Sequence, residues 1–176
     1  MGEPTVYDKF PARIVLLSNL LSVSIYVIGA YLMAGLGFWS LAAYIVYCGW
    51  MEVRLLRHSC VNCCYYGKTC AFGKGRLCAL LFRQGDPKRF AEWQISWSDL
   101  IPDFAVSLLP AVAAVIQLVT GFRWVTLVLL VVLLVLTFWG NAVVRGSFAC
   151  PHCRQRQLGC PAERLFTKSS RKPATV

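Results

Sequence analysis

Four long apolar stretches set the terms for this chain. They lie near Ile14–Met33, Phe38–Leu55, Leu100–Val119 and Val125–Val144. Each is long enough to cross about 30 Å of hydrocarbon, which takes roughly 20 helical residues. In lipid every backbone N–H and C=O needs a partner inside the protein, so such stretches form helices or a closed barrel. The run from Leu129 to Leu136 is apolar throughout, without the alternation a barrel strand requires. With 57% hydrophobic and 15% charged residues, the composition suits an all-α membrane protein with four transmembrane helices.

The chain carries a net charge of +10, and its distribution matters more than its size. Lys9 and Arg13 precede the first stretch, a basic group runs from Arg54 to Arg89, and another runs from Arg145 to Lys172. Of the 18 Lys and Arg, only Arg123 falls in a turn on the opposite side. That asymmetry follows the positive-inside bias and puts both termini and the central loop in the cytoplasm. The basic face is expected to meet anionic lipid headgroups. No recognisable nucleic-acid module accompanies the charge, so nucleic acid is not expected as a partner. The first ten residues are polar and mixed in charge, and the first helix is too long for a signal h-region, so it reads as an uncleaved anchor.

Two cysteine trios share one spacing: Cys60-x2-Cys63-x6-Cys70 and Cys150-x2-Cys153-x6-Cys160, ninety positions apart. Each follows a pair of apolar stretches. The connecting turns also correspond, Gly35-Leu-Gly-Phe-Trp39 and Gly121-Phe-Arg-Trp124. The chain therefore reads as two helical hairpins, each followed by a cysteine knuckle, related as parallel repeats about an axis along the membrane normal. The divisions are a first hairpin (1–57), a knuckle with an amphipathic segment (58–98), a second hairpin (99–145), and a knuckle with a basic tail (146–176). Trp39 to Cys60 is shorter than Trp124 to Cys150, so either the second helix ends early or the fourth runs further. Leu77–Ser98 reads as two short amphipathic helices broken at Gly85-Asp-Pro87. They lie either in the interface plane or over the cysteine segment as ordinary core. Past the cysteines, Arg76-Leu77 and Arg164-Leu165 sit at similar offsets. Pro110 is expected to kink the third helix.

Paired Cys-x2-Cys loops place soft thiolates on one tight turn, suited to Zn2+ or to iron–sulfur clusters. Cytoplasmic thiols stay reduced, which argues against a disulfide framework. Cys60, Cys63, Cys150 and Cys153 suffice for one zinc joining the repeats, but leave Cys70 and Cys160 without a role. Using all six gives two sites of three thiolates and one further ligand. Cys64 or Cys78 completes the first, and His152 or a partner residue completes the second. Two [4Fe–4S] clusters need the same ligand count, although ferredoxin motifs space their cysteines more closely. Zinc is therefore the first expectation and iron–sulfur the second. Cys48, inside the second helix, reads as a small buried apolar residue, and His58 as a surface histidine.

No histidine lies in a span, which excludes bis-His haem ligation, and Gly73-Lys-Gly75 lacks the spacing of a phosphate loop. The leading expectation is a non-catalytic subunit or adaptor, with a metal-bound cap docking a protein partner at the cytoplasmic face. Alternatives are an iron–sulfur subunit exchanging electrons with a quinone or soluble partner, a soft-metal transporter, and a membrane thiol–disulfide oxidoreductase. Transport needs a polar path, for which Asn19, Asn141, Gln117 and several serines are the candidates. Thiol catalysis needs a lowered pKa at Cys63 or Cys64, which Arg57, His58 and Lys68 are placed to supply. Glu52 is the one acid expected to dip into the bundle, with Arg54 or Arg57 as its pairing cation.

Overall fold

A computed structural model describes residues 5–92 and 96–161. Four long helices form the body: α1 (Ala12–Ala34), α2 (Phe38–His58), and, after the two short helices α3 (Lys74–Leu81) and α4 (Pro87–Glu92), α5 (Trp97–Thr120) and α6 (Trp124–Ala149). A last short helix, α7 (Arg154–Gln157), follows the second knuckle. Among the described residues no strand forms, only an isolated parallel bridge between Tyr7 and Cys153.

Three of these helices are long and apolar enough to cross a membrane: α1, α5 from Asp99 onward, and α6. The expected four spans thus become three on length and composition. α2 has 21 residues, but Glu52, Arg54 and Arg57 lower the hydropathy of its final turns. Most of the apolar surface of the three faces outward. Leu16, Leu20, Val27, Val115, Val119, Val128 and Val131 are all exposed, as a lipid solvent permits and water does not.

α1 and α5 form the central pair, with α2 packed on both and α6 on the other side of both. α1 and α5 run parallel. Gly29 of α1 faces Pro110 of α5, and further along Gln117 Nε2 donates to the Leu32 carbonyl at 2.7 Å. The two hairpin turns therefore lie at one end, and both cysteine segments at the other. At the turn end an aromatic pair repeats: Phe38 on Trp39 (5.8 Å) and Phe122 on Trp124 (5.0 Å). Gly37 makes the first reversal at φ 125°, a region closed to residues with a Cβ.

The unequal repeat lengths resolve in α6. α2 ends at His58, whereas α6 runs to Ala149, directly into Cys150. Its last part contains two wide π turns, Leu136–Gly140 and Val144–Ala149, each of which takes up extra residue length without breaking the helix.

Pro110 does not interrupt α5. It has no N–H, so the Val106 carbonyl one turn earlier loses its helical donor. Tyr44 of α2 supplies the replacement, its hydroxyl donating to Val106 O at 2.9 Å. Tyr47, one turn on, donates to Pro102 O at 2.8 Å. Gly29 makes room for this junction, because a Cβ there would stand 2.2 Å from the Tyr44 hydroxyl.

Several other polar residues are paired inside the bundle, whereas the buried Ser18 hydroxyl has no hydrogen-bond partner among the described residues. Asn19 Nδ2 donates to Val15 O and Phe72 O, Asn141 to Thr137 O, and Thr137 to Ser107. Glu52 pairs with Lys74 at 2.6 Å and accepts from the Tyr26 hydroxyl, while Arg54 reaches Asp99 instead. Asp99 also accepts from the Ser96 N–H and caps α5. α3 buries Gly75 and Cys78 but leaves Leu77, Leu80 and Leu81 exposed. The break at Gly85-Asp86-Pro87 falls between α3 and α4, and Trp97 belongs to the first turn of α5 rather than to the amphipathic segment. Arg164-Leu165 lies outside the described residues.

Replacing Tyr44 by Phe is expected to leave the Val106 carbonyl without a donor and to cost about 1–3 kcal/mol. Unfolding in detergent should show a lower midpoint for Tyr44→Phe and none for the exposed Tyr31→Phe.

Candidate metal centre

The backbone of the two knuckles repeats. Cys63 N–H donates to Cys60 O at 3.3 Å, and Cys153 N–H to Cys150 O at 3.2 Å. One step later Tyr66 N–H donates to Cys63 O at 3.0 Å, and Arg156 N–H to Cys153 O at 3.1 Å. In both, nearby backbone N–H groups pull down the thiol of the second cysteine, those of Tyr65 and Cys64 at Cys63 and those of Gln155 and Arg156 at Cys153, without outweighing what raises it. Amides aimed at a sulfur favour its anionic form. Each x6 loop then turns through a glycine at positive φ, Gly67 in the first and Gly159 in the second.

The two knuckles meet. Cys64 N–H donates to Gln155 Oε1 at 2.9 Å, and Arg154 N–H donates to the Tyr65 hydroxyl at 3.0 Å. That hydroxyl in turn donates to the Tyr7 carbonyl. Phe10, Tyr65, Ala71 and Ala149 form a small core, with Cys63, Cys64, Cys70 and Cys153 packed against it. The segment before α1 is a strap across both knuckles. Tyr7 N–H donates to His152 O and Phe10 N–H to Thr69 O, both at 3.0 Å, and Asp8 pairs with Arg154 at 2.7 Å.

Cys78 joins the first trio from α3. It is 0% exposed, and its thiol points to the Leu56 carbonyl at 3.6 Å. α3 approaches because Gly75 has no side chain: a Cβ would stand 2.2 Å from the Tyr65 carbonyl oxygen. Among the described residues, no three His, Cys, Asp or Glu side chains converge on one point as a metal ion needs. The sulfurs are gathered at one end of the bundle, and no disulfide joins any described cysteine.

Burial raises the thiols of Cys60, Cys78 and Cys153. Cys60 is pushed up to about 12 by burial, helped by the sulfurs of Cys70, Cys78 and Cys63. Cys153 is pushed up to about 11 by burial, against the pull of the Gln155 and Arg156 amides. Cys78 rises through burial and then through Cys63 and Cys70. Cys63 and Cys64 share a hydrogen bond, which raises Cys63 and lowers Cys64. A thiol that burial holds neutral binds metal only by exchanging its proton for the cation.

His152 Nδ1 donates to the Thr5 carbonyl oxygen, 2.7 Å away, and its ring lies 4.9 Å from that of Tyr7. It is part of the strap contact. His58 is exposed, with its carbonyl accepting from Asn62. Cys48 is buried within α2, away from the cap. The six repeated cysteines, Cys64 and Cys78 were all evident from the sequence; Tyr7, Phe10, Tyr65 and Gln155 were not, since they carry no local signal.

No family of proteins matches this chain, and no curated protein and no solved structure does either.

Phe10→Ala should cost about 3–5 kcal/mol in the cap. Mass spectrometry after brief alkylation should show Cys63 and Cys153 reacting faster together, although they belong to different halves of the chain.

Proposed function

We propose that this chain is a small integral membrane protein whose duplicated cysteine segments bind a thiophilic metal, zinc first, in a cap on a four-helix bundle. The cap serves as a docking surface for a protein partner, so the chain works as a subunit or adaptor of a membrane complex. The observation carrying this reading is the repeated turn geometry of the two knuckles and their meeting through the Cys64–Gln155 and Arg154–Tyr65 bonds. Thiolates presented in that way are ligands for a soft cation.

α2 is the fourth span in this reading. It runs antiparallel to α5 through the Tyr44 and Tyr47 bonds. Its charges sit at the cap end, where Glu52 meets Lys74 and Arg54 meets Asp99. Its outer residues Ile45, Val46 and Trp50 are exposed and apolar. The cap end also carries the basic groups, so the positive-inside bias assigns it to the cytoplasm. Transport gains little support, because Asn19, Gln117 and Asn141 all spend their amides on backbone carbonyls.

A structural zinc contributes on the order of 10–16 kcal/mol to the fold that holds it. Protein purified anaerobically in detergent should contain stoichiometric zinc by elemental analysis, and a strong chelator should lower the unfolding temperature of the cap. Metal-free protein with cap cysteines that alkylate as fast folded as unfolded would contradict the reading, and stoichiometric iron with sulfide would redirect it to electron transfer. A membrane-impermeant maleimide should label chelator-treated cap cysteines in inside-out vesicles and not in right-side-out ones.

A further inference from the structure

α3 is a short helix with two apolar faces, of which one is packed and one is not. At about 100° per residue, Leu77, Leu80 and Leu81 share the face opposite Gly75 and Cys78. The packed face is closed: Gly75 sits against the Tyr65 and Lys68 carbonyl oxygens, and Cys78 is buried. The other face is open, with Leu77 47%, Leu81 60% and Leu80 83% exposed. The sequence allowed either an amphipathic segment in the interface plane or an ordinary core over the cysteines, and a core would have buried these leucines.

The depth of α3 follows from what it touches. Lys74 pairs with Glu52 at 2.6 Å, and the Cys78 thiol points to the Leu56 carbonyl at 3.6 Å. Glu52 and Leu56 stand one turn apart on one face of α2, so α3 lies beside the final turns of α2 rather than below its end. At the other end of α3, the Phe72 carbonyl accepts from Asn19 Nδ2 at 3.3 Å, and a Cβ on Gly73 would stand 3.2 Å from Val15 Cγ1. Val15 and Asn19 open the apolar stretch of α1, as Leu55 closes that of α2. α3 therefore crosses from α1 to α2 level with the edge of the apolar stretches, where hydrocarbon gives way to headgroups. Arg76 on the helix, Arg57 beside Leu56, and Arg83, Lys88 and Arg89 just after the helix are all exposed, against two exposed acids, Asp86 and Glu92. Among the described residues the ion pairs use Arg54, Lys74 and Arg154, and none uses these five cations.

Resting on the membrane part of the reading above and not on the metal, we propose that α3 is an interfacial helix seated in the leaflet at the cap end. Leu77, Leu80 and Leu81 lie among the acyl chains, and Arg57, Arg76, Arg83, Lys88 and Arg89 meet the phosphates of anionic phospholipids. An amphipathic helix binds a bilayer by this combination of apolar burial and attraction to anionic headgroups. Long Arg and Lys side chains reach the headgroups from such a depth while their stems cover apolar surface. A docked protein would suit the leucines, but it calls for neither this depth nor this excess of positive charge. Cys78 is on the opposite face of the same helix, so the leaflet backs the helix that seats Cys78 against α2. The cysteine cap then stands on the membrane surface rather than apart from it.

The test places the photo-crosslinking residue benzoylphenylalanine at Leu80, where it displaces no packed side chain, in the full chain held in nanodiscs of phosphatidylcholine and phosphatidylglycerol. The same probe at Val128, exposed on α6, reports insertion. Mass spectrometry should find phospholipid adducts at both positions. Those at Leu80 should be enriched about fivefold in phosphatidylglycerol relative to Val128, the effect of one basic residue near the surface. The combined substitutions Arg76→Gln, Arg83→Gln and Arg89→Gln should remove the enrichment and leave the adducts. Lipid adducts at Val128 with none at Leu80, or a protein adduct at Leu80 in their place, overturns the proposal. Enrichment that is absent, or that survives the three substitutions, overturns its anionic part. No lipid adduct at either position overturns the membrane reading itself.

Discussion

Tyr65 holds the cap together. Its ring packs on Phe10, its hydroxyl donates to the Tyr7 carbonyl, and the same oxygen accepts the Arg154 N–H. One buried side chain therefore touches the strap, the first knuckle and the second. Burial pushes its phenol up to about 12, so it stays a neutral donor. This three-way junction, with the Cys64–Gln155 bond, joins the two knuckles once the bundle has brought them to one end. The strap adds the Asp8–Arg154 pair and the backbone bonds of Tyr7 and Phe10.

The bundle below follows a different rule. In an apolar medium each carbonyl freed by proline needs a new donor. α2 answers the carbonyl freed by Pro110 with Tyr44 and adds a bond from Tyr47 to the Pro102 carbonyl, and this fixes the register between the hairpins. Gln117 onto Leu32 does the same near the turn end. With both hairpins held parallel, the chain must emerge twice at one end, and the trios arrive there without any further device. The Glu52–Lys74 pair then ties the end of α2 to α3, and α3 carries Cys78.

Much of this was legible in the sequence. The helices start and stop close to the expected stretches, since long apolar runs bounded by glycine and charge leave little choice. The doubled cysteine spacing pointed to doubled turns, and the break at Gly85-Asp86-Pro87 is present. Other features left no local trace. Glu52 was expected to pair with Arg54 or Arg57 on its own helix, but α3 brings Lys74 closer. The first ten residues read as polar and mixed in charge, yet Phe10 is 4% exposed and central to the cap. Pro110 marks a loosened turn in the sequence, but the Tyr44 hydroxyl that meets the freed Val106 carbonyl comes from sixty-two positions before it. Contacts of that separation are set by packing, and no window of sequence contains them.

The central claim is that these gathered sulfurs bind a soft metal. X-ray absorption at the metal edge of anaerobically purified protein examines it most directly. The expected result is a zinc first shell of sulfur alone, four scatterers at about 2.3 Å. A shell dominated by nitrogen or oxygen, or a protein that holds no metal at all, would contradict it.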